Sequence, residues 1–238
     1  LSSSSAASDV YKRQANGFVI AGTVINSGFS INRTGATLTI NGGGILNSRF
    51  FTNEGGRVNN NGLVNADVTN LGNIDNNGTW NGILSHGFGT VTSNNRWNGS
   101  FGISAGGLVI NNGVWANAGD ISGISSGLFE NFGTLSGNGV SVFGADARLA
   151  NREVGTITLA SNQELRVGGD GIISNAGTIT ARARVDAGGV IQNDASGVWT
   201  GSFSILGGGS LNNAGTITGN ILNLSLIHIS EPTRQAEI

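Results

Sequence analysis

Residues 107–115 read GLVINNGVW, and this pattern repeats along most of the chain. With Asn111 as position zero, glycines lie four residues before it and two after it, and the apolar Val109 and Trp115 lie at minus two and plus four. Apolar residues that alternate with polar ones indicate a β-strand. Asn-x-Gly is typical of a turn, because Asn tolerates left-handed backbone and Gly adopts it without strain. The pattern therefore predicts strand, turn and strand.

The same frame recurs at a regular interval. Its further central residues are Asn131, Asn151, Asn175, Asn193 and Asn213, which with Asn111 are spaced by 20, 20, 24, 18 and 20 residues. The turns after Asn151 and Asn193 take two extra residues. Other copies are Asn60, Asn70, Asn76 and Asn117, with a partial fit at Asn26 and a degenerate unit at 86–97. Some copies are six residues apart, so three sides of six or seven residues would give one coil of about twenty.

A period near twenty with strand chemistry predicts an all-β fold, a parallel β-helix (β-solenoid) of about ten coils over 15–224. Coils near twenty with variable turns favour a right-handed helix, whereas the six-residue step would indicate a left-handed one. We expect the minus-two residues to be buried in one line: Val109, Phe129, Leu149, Ile173, Ile191 and Leu211. We expect the position-zero asparagines to form a hydrogen-bonded ladder beside the turns.

The composition of the chain argues against several classes of function, among them nucleic-acid binding, membrane spanning and metal binding. The net charge is −2 with scattered arginines, which argues against a nucleic-acid partner. No apolar run is long enough for a membrane span. There is no cysteine, and His86 is the one histidine of the repeat region, so we predict no metal site and no cofactor. A repeat stack needs no disulfides, because each coil buries its face on the next.

The two ends differ in composition from the repeats. The one Lys, the one Tyr and the one Pro of the chain lie in residues 1–14 and 225–238. Both segments resemble translated sequencing-adapter sequence, so we predict artefactual tails on either side of a single repeat domain, 15–224. Because the chain contains no methionine, we expect a fragment of a longer protein.

Repeats that read Asn-x-Gly-Thr-Ile, as at 175–179 and 213–217, are similar to those of bacterial adhesins of the filamentous-haemagglutinin and autotransporter-passenger type. The resemblance implies a secreted or outer-membrane-surface protein of a Gram-negative bacterium. It implies a structural or adhesive role as a rigid stalk or ligand-display surface. Host-surface, carbohydrate or neighbouring-cell ligands would be its partners; the sequence leaves the oligomeric state open.

An enzyme that acts on polysaccharides is the alternative, since β-helices also carry catalytic sites. Glycosidases need two placed carboxylates, and two pairs could meet across a turn: Asp146 with Glu153, and Asp186 with Asp194. Nothing groups them with a base or a positioning cation, so we predict no enzyme and no catalytic residue. The sequence GGDG at 168–171 resembles half of a calcium-binding repeat, but it occurs once and is interpreted as a turn.

A third hypothesis comes from Thr-Ile-Thr at 156–158, 178–180 and 216–218. Such Thr-x-Thr arrays resemble those of ice-binding solenoids. Ordinary β-branched strand surface would give the same pattern. Val198 and Trp199 interrupt the array, which favours the ordinary interpretation.

Overall fold

The chain forms a parallel β-solenoid. The computed structural model describes residues 17–119 and 121–224, and these contain thirty strands and no helix. Every ladder between named strands is parallel and joins residues 16 to 25 apart in sequence, which is one coil. The predicted fold class is confirmed, and the right-handed winding stays a prediction. The tails 1–14 and 225–238 lie outside the described residues.

The strands are short and follow each other around the coil. The first ten are β1 Phe18–Ile20, β2 Thr23–Arg33, β3 Thr37–Ile40, β4 Ile45–Glu54, β5 Arg57–Asn60, β6 Leu63–Asn70, β7 Asn73–Asn76, β8 Thr79–Asn81, β9 Leu84–His86 and β10 Thr90–Ser93. The next ten are β11 Arg96–Asn98, β12 Phe101–Ile103, β13 Leu108–Asn111, β14 Val114–Asn117, β15 Ser122–Ile124, β16 Gly127–Asn131, β17 Thr134–Gly137, β18 Val140–Phe143, β19 Ala147–Asn151 and β20 Thr156–Leu159. The last ten are β21 Glu164–Gly168, β22 Ile172–Asn175, β23 Thr178–Thr180, β24 Arg182–Val185, β25 Val190–Asn193, β26 Val198–Thr200, β27 Phe203–Leu206, β28 Ser210–Asn213, β29 Thr216–Thr218 and β30 Ile221–Leu224.

Three faces surround the core. The first face holds eleven strands of the described chain, β1, β3, β5, β7, β10, β13, β16, β19, β22, β25 and β28. The second face is the series β8, β11, β14, β17, β20, β23, β26 and β29, and the third is β9, β12, β15, β18, β21, β24, β27 and β30. The long strands β2, β4 and β6 cross both of these faces in one run. The three sides inferred from the six-residue step are therefore the three faces.

The predicted core line is the central row of the first face. Its members pair in register from Val109 to Leu211. All are fully buried except Leu211, which is half-buried because β28 is the last described strand of this face. The turns after Asn151 and Asn193 absorb the two extra residues, as predicted.

The asparagine row forms the predicted ladder at the corner between the first and second faces. Each amide Nδ2 donates to Oδ1 of the next coil at 2.7–2.8 Å along the row Asn111, Asn131, Asn151, Asn175, Asn193 and Asn213. Ser93 interrupts the row: Nδ2 of Asn76 lies 3.4 Å from its Oγ, and Oδ1 of Asn111 has no hydrogen-bond partner among residues 17–119 and 121–224. Asn26 is not a member. It lies at an irregularity of β2, and Ile20 and Ile40 occupy the row in the first coils.

Stacked tryptophans fill the core beneath the second face. The ring centroids of Trp80, Trp97 and Trp115 are spaced by 4.8 Å with nearly parallel planes. Each indole Nε1 donates to a carbonyl oxygen at 2.9 Å, that of Ala66, Gly82 and Gly99 in turn. Burial of rings with a satisfied N–H stabilises these coils.

Candidate ligand-binding groove

The third face carries one outward-facing residue at the same position of every strand. Successive members pair in register: Thr69, Ser85, Gly102, Gly123, Ser141, Arg166 and Arg184. The first five are small, and the last two are long cations. Because strands of neighbouring coils lie about 4.8 Å apart, the small residues form a continuous trough across five coils.

This trough is a shallow, open groove of about 490 Å³ whose floor runs from Thr69 to Ser141. Leu71 and Phe143 lie along its edge. An adjoining cavity of about 400 Å³ shares Ser141 and continues the groove toward Arg166. Polar side chains surround this second cavity: Asn162, Gln163 and Glu164.

Two glycines of the floor have no structural reason to be glycine. Gly102 and Gly123 are neighbours in the ladder. A β-carbon on Gly123 would meet no atom within 4 Å, and one on Gly102 would meet only the Leu84 carbonyl oxygen at 4.0 Å. Neither has positive φ. At Gly113, by contrast, a β-carbon would lie 2.0 Å from the Asn95 carbonyl oxygen. A glycine inside a strand weakens the strand and often marks the close approach of a ligand.

An ion-pair triad stands at the polar end of the groove. The Asp186 carboxylate accepts hydrogen bonds from Nε of Arg166 at 2.6 Å and from Nε of Arg184 at 2.9 Å. Partial burial alone would raise the pKa of Asp186, but the two guanidinium groups outweigh it and hold that pKa below its ordinary value. The carboxylate is therefore ionised at neutral pH and fixes the direction of both arginines.

The arginine nearest the groove is also held by an aromatic ring. The guanidinium carbon of Arg166 lies 5.0 Å from the ring centroid of Phe143. No hydrogen bond within residues 17–119 and 121–224 uses the terminal Nη atoms of Arg166 or Arg184. The triad thus carries one net positive charge and presents unpaired donors beside the groove.

His86 lies beneath the groove wall and belongs to a second polar ladder. Nδ2 of Asn32 donates to Oδ1 of Asn53, Nδ2 of Asn53 donates to Oδ1 of Asn70, and Nδ2 of Asn70 lies 3.0 Å from Nδ1 of His86. His86 Nε2 lies 3.2 Å from the Gly89 carbonyl oxygen. Nδ1 of His86 also lies 3.3 Å from the Asn70 carbonyl oxygen, but its shorter contact with Nδ2 of Asn70 and the contact of Nε2 fit a neutral ring that accepts at Nδ1 and donates at Nε2. Burial lowers the pKa of His86 below its ordinary value.

The carboxylate pairs weighed for catalysis do not meet. Asp146 precedes β19 and Glu153 follows it, whereas Asp186 directly follows β24 and Asp194 directly follows β25. A strand of four or five residues, roughly 13–17 Å long, lies between the members of each pair, so no single turn joins them. No group of three metal-ligating His or acidic side chains occurs within the described ranges. GGDG at 168–171 is a turn, in which the Gly171 N–H donates to the Gly168 carbonyl.

The threonine array is more regular in the structure than in the sequence. On the second face, the outer positions of five successive strands align in register: Thr134 and Ser136, Thr156 and Thr158, Thr178 and Thr180, Val198 and Thr200, Thr216 and Thr218. Trp199 does not interrupt the outer surface, because its ring points into the core.

The sequence frame did not predict the groove or the triad. Its repeating signal marks the first and second faces, whereas the third-face row mixes Ser, Gly and Arg without a consensus. One signal was present: ARARVD at 181–186 concentrates charges in a chain with only 11% charged residues. Alternation in that stretch would have predicted Arg182, Arg184 and Asp186 on one outer surface, but nothing in it indicates Arg166.

The chain was compared with known proteins. No family model matches it, and no curated protein matches it. Among solved structures it is similar to a crystal structure of the TibA fragment 55–350, hyper-glycosylated by TibC. The identity is 15%, the TM-score is 0.29, and the match covers 87% of this chain and 99% of that one. The described part of this chain holds no helix long and apolar enough to cross a membrane.

Proposed function

We propose that the chain is a structural and adhesive segment of a secreted or cell-surface bacterial protein, a rigid rod that displays ligand-binding surface. The observation that carries this proposal is the unbroken parallel register of eleven first-face strands. At a strand spacing of about 4.8 Å they make a rod roughly 50 Å long. Buried ladders on two corners support its stiffness, because each coil is bonded to both neighbours.

Display outside a Gram-negative cell, on the outer membrane or released from it, fits the chemistry of the rod. Its strength comes from repeated amide ladders and stacked rings rather than from disulfides, as the chain contains no cysteine. Host-surface, carbohydrate or neighbouring-cell molecules are the partners that such a surface would meet.

The proposal is tested by incubating the full chain with a polysaccharide panel and measuring both retention and product formation. We expect retention of some polysaccharides without cleavage. The alternative, a lyase or hydrolase of the β-helix type, predicts reducing ends or unsaturated products. Turnover that disappears on replacing a single acid, such as Glu164→Gln in the cavity beside the groove, would overturn the non-enzymatic proposal.

Ice binding is a second candidate because of one observation: the outer positions of five coils of the second face are aligned, and eight of these ten positions are threonine. A flat array of hydroxyl and methyl groups at strand spacing could order water. Thermal hysteresis of the full chain measures this directly. Hysteresis that is lost on replacing Thr178 and Thr180 by lysine would favour ice binding over adhesion.

A further inference from the structure

We propose that the third-face groove binds a linear acidic oligosaccharide, with its sugar rings over Gly102 and Gly123 and an anionic group at the terminal nitrogens of Arg166 and Arg184. The inference rests on the proposed display function and adds the substrate class and the site.

The shape of the groove favours a chain of sugars. Its floor crosses five coils, or roughly 19 Å from Thr69 to Ser141 at the usual strand spacing. The two glycines expose bare backbone at the centre, and their missing β-carbons leave open space. The C–H face of a sugar ring can therefore rest directly on the strands, and close approach of a ligand is one of the reasons for a glycine inside a strand.

The polar groups of the groove suit sugar hydroxyls. Thr69, Ser85 and Ser141 make no side-chain hydrogen bond to any residue in the described part of the chain. Each hydroxyl can both donate and accept, as a sugar hydroxyl can. Phe143 adds an aromatic surface at the groove's end. Together these groups give the groove both apolar and hydroxyl surface. A carbohydrate has the same two kinds of surface, its C–H groups and its hydroxyls.

The triad of Arg166, Arg184 and Asp186 indicates that the bound sugar carries an acidic group. Two guanidinium groups share one carboxylate through their Nε atoms, so the triad keeps one net positive charge, which the nearby Glu164 carboxylate offsets in part at Arg184. Their directions are fixed before a ligand arrives, which lowers the entropy cost of binding. Terminal guanidinium nitrogens bind carboxylate or sulfate oxygens in pairs. An acidic substituent therefore has a defined place at one end of the groove.

Other macromolecules fit less well. An extended peptide adds to a sheet through an unpaired strand edge, but the strands of the groove floor are paired on both sides. A nucleic acid needs many phosphate contacts, whereas the triad supplies one net charge and the whole chain carries −2.

Calorimetry with the full chain tests the proposal with three tetrasaccharides. These are tetragalacturonate, its carboxyl-reduced neutral counterpart, and a sulfated heparin tetrasaccharide. We expect at least one acidic probe to bind about tenfold or more tighter than the neutral one, the size of a lost charge-assisted contact. Failure of both acidic probes to bind, or equal affinity for acidic and neutral probes, would overturn it.

Substitutions then locate the site. Gly123→Leu fills open space, so it should keep the melting temperature and weaken binding about tenfold or more. Gly43→Leu is the matched control, since a β-carbon there also meets nothing within 4 Å and Gly43 lies outside the groove. Arg184→Gln should remove most of the preference for the acidic probe, whereas Arg182→Gln should retain it, because Arg182 lies on the same strand but forms no ion pair with another described residue.

The two proposals fail in different ways. If Gly123→Leu leaves oligosaccharide binding intact, the groove is not the site. Retention of polysaccharides without cleavage would then still support display by another surface. Cleavage of a polysaccharide would instead defeat the display function itself.

Discussion

Nδ2 of Asn175 donates a 2.8 Å hydrogen bond to Oδ1 of Asn193, exactly one coil further along the rod. The same Nδ2 lies 3.2 Å from the Val198 carbonyl oxygen, so the amide also links the end of the first-face strand to the second face by a hydrogen bond. Asn175 is fully buried. Buried amides that are satisfied on both sides hold neighbouring coils in register.

Replacing Asn175 by Ala should lower the free energy of unfolding by about 1–3 kcal/mol, because it leaves buried partners without a hydrogen bond. Truncating the apolar neighbour Ile173 to Ala should cost more, about 2–5 kcal/mol. Urea denaturation of the full chain measures both changes.

Asn112→Ala provides the matched control for the ladder. Its Nδ2 donates to Oδ1 of Asn94 at 2.8 Å, but the pair is exposed. We expect a change within about 0.5 kcal/mol, as for other surface substitutions. Equal losses at Asn112 and Asn175 would mean that burial of the ladder does not matter.

Replacing Ser93 by Asn should repair the interrupted row. Asn76 and Asn111 lie on either side, and no described residue bonds to Oδ1 of Asn111. The Oδ1 of an asparagine at this position would accept a hydrogen bond from Nδ2 of Asn76, and its Nδ2 would donate to Oδ1 of Asn111. We expect stabilisation of about 1 kcal/mol, measured as a higher urea midpoint with an unchanged slope. A loss of stability on replacing Ser93 by Asn would contradict continuity of the ladder.

His86 makes the rod sensitive to acid. Burial lowers its pKa in the folded state, so the unfolded state binds the proton first, near pH 6.5. Stability should therefore be highest above about pH 7, fall as the pH decreases through that value, and level off below the lowered folded pKa. Unfolding free energies at a series of pH values between 7.5 and 5 follow this loss.

His86→Asn isolates the histidine, since it restores the amide of the Asn32, Asn53 and Asn70 ladder. The variant should lose the part of the pH dependence that lies nearest pH 6.5. His228 is present in both proteins and cancels in the comparison. Identical pH profiles would show that His86 does not titrate differently on folding.

The sequence predicted those parts of the fold in which the same residue type recurs at the same position of each coil. Val109 to Ile191 share the minus-two position because every coil needs an apolar residue there, so their row was visible without a structure. The first coils were less visible, since Ile20 and Ile40 replace the asparagine and pack into the core. Coils of 16 to 18 residues around Trp80 and Trp97 also depart from the period.

The groove could not be predicted in the same way. The fold constrains inward-facing side chains, but it leaves outward ones such as Ser85 and Ser141 free to vary. Because no residue type repeats in this row, the sequence does not show that Gly102, Gly123 and Arg166 lie on one surface. Their common position is visible only once the coils are stacked. The same reasoning explains why Asp146 and Glu153, close in sequence, lie at opposite corners.

Removing the terminal segments tests the predicted limits of the repeat domain. Deletion of 1–14 and 225–238 should change the free energy of unfolding by no more than about 0.5 kcal/mol, as for changes remote from core features. Thermal or urea unfolding of the shortened chain beside the full chain measures this. A larger loss would mean that these segments stabilise the rod.

The central claim is that equivalent residues of successive coils lie in a straight line at strand spacing. Because the chain has no cysteine, pairs of spin labels can be placed on the outer row of the first face at Thr39, Asn59, Glu130 and Gln192. Thr39 and Glu130 are five coils apart, Asn59 and Gln192 seven, and Thr39 and Gln192 eight. Pulsed electron resonance should give distances near ~24, ~34 and ~38 Å, rising by about 4.8 Å per coil. Distances that do not increase with coil number, as in a two-sheet sandwich, would contradict the solenoid and the adhesive rod built on it.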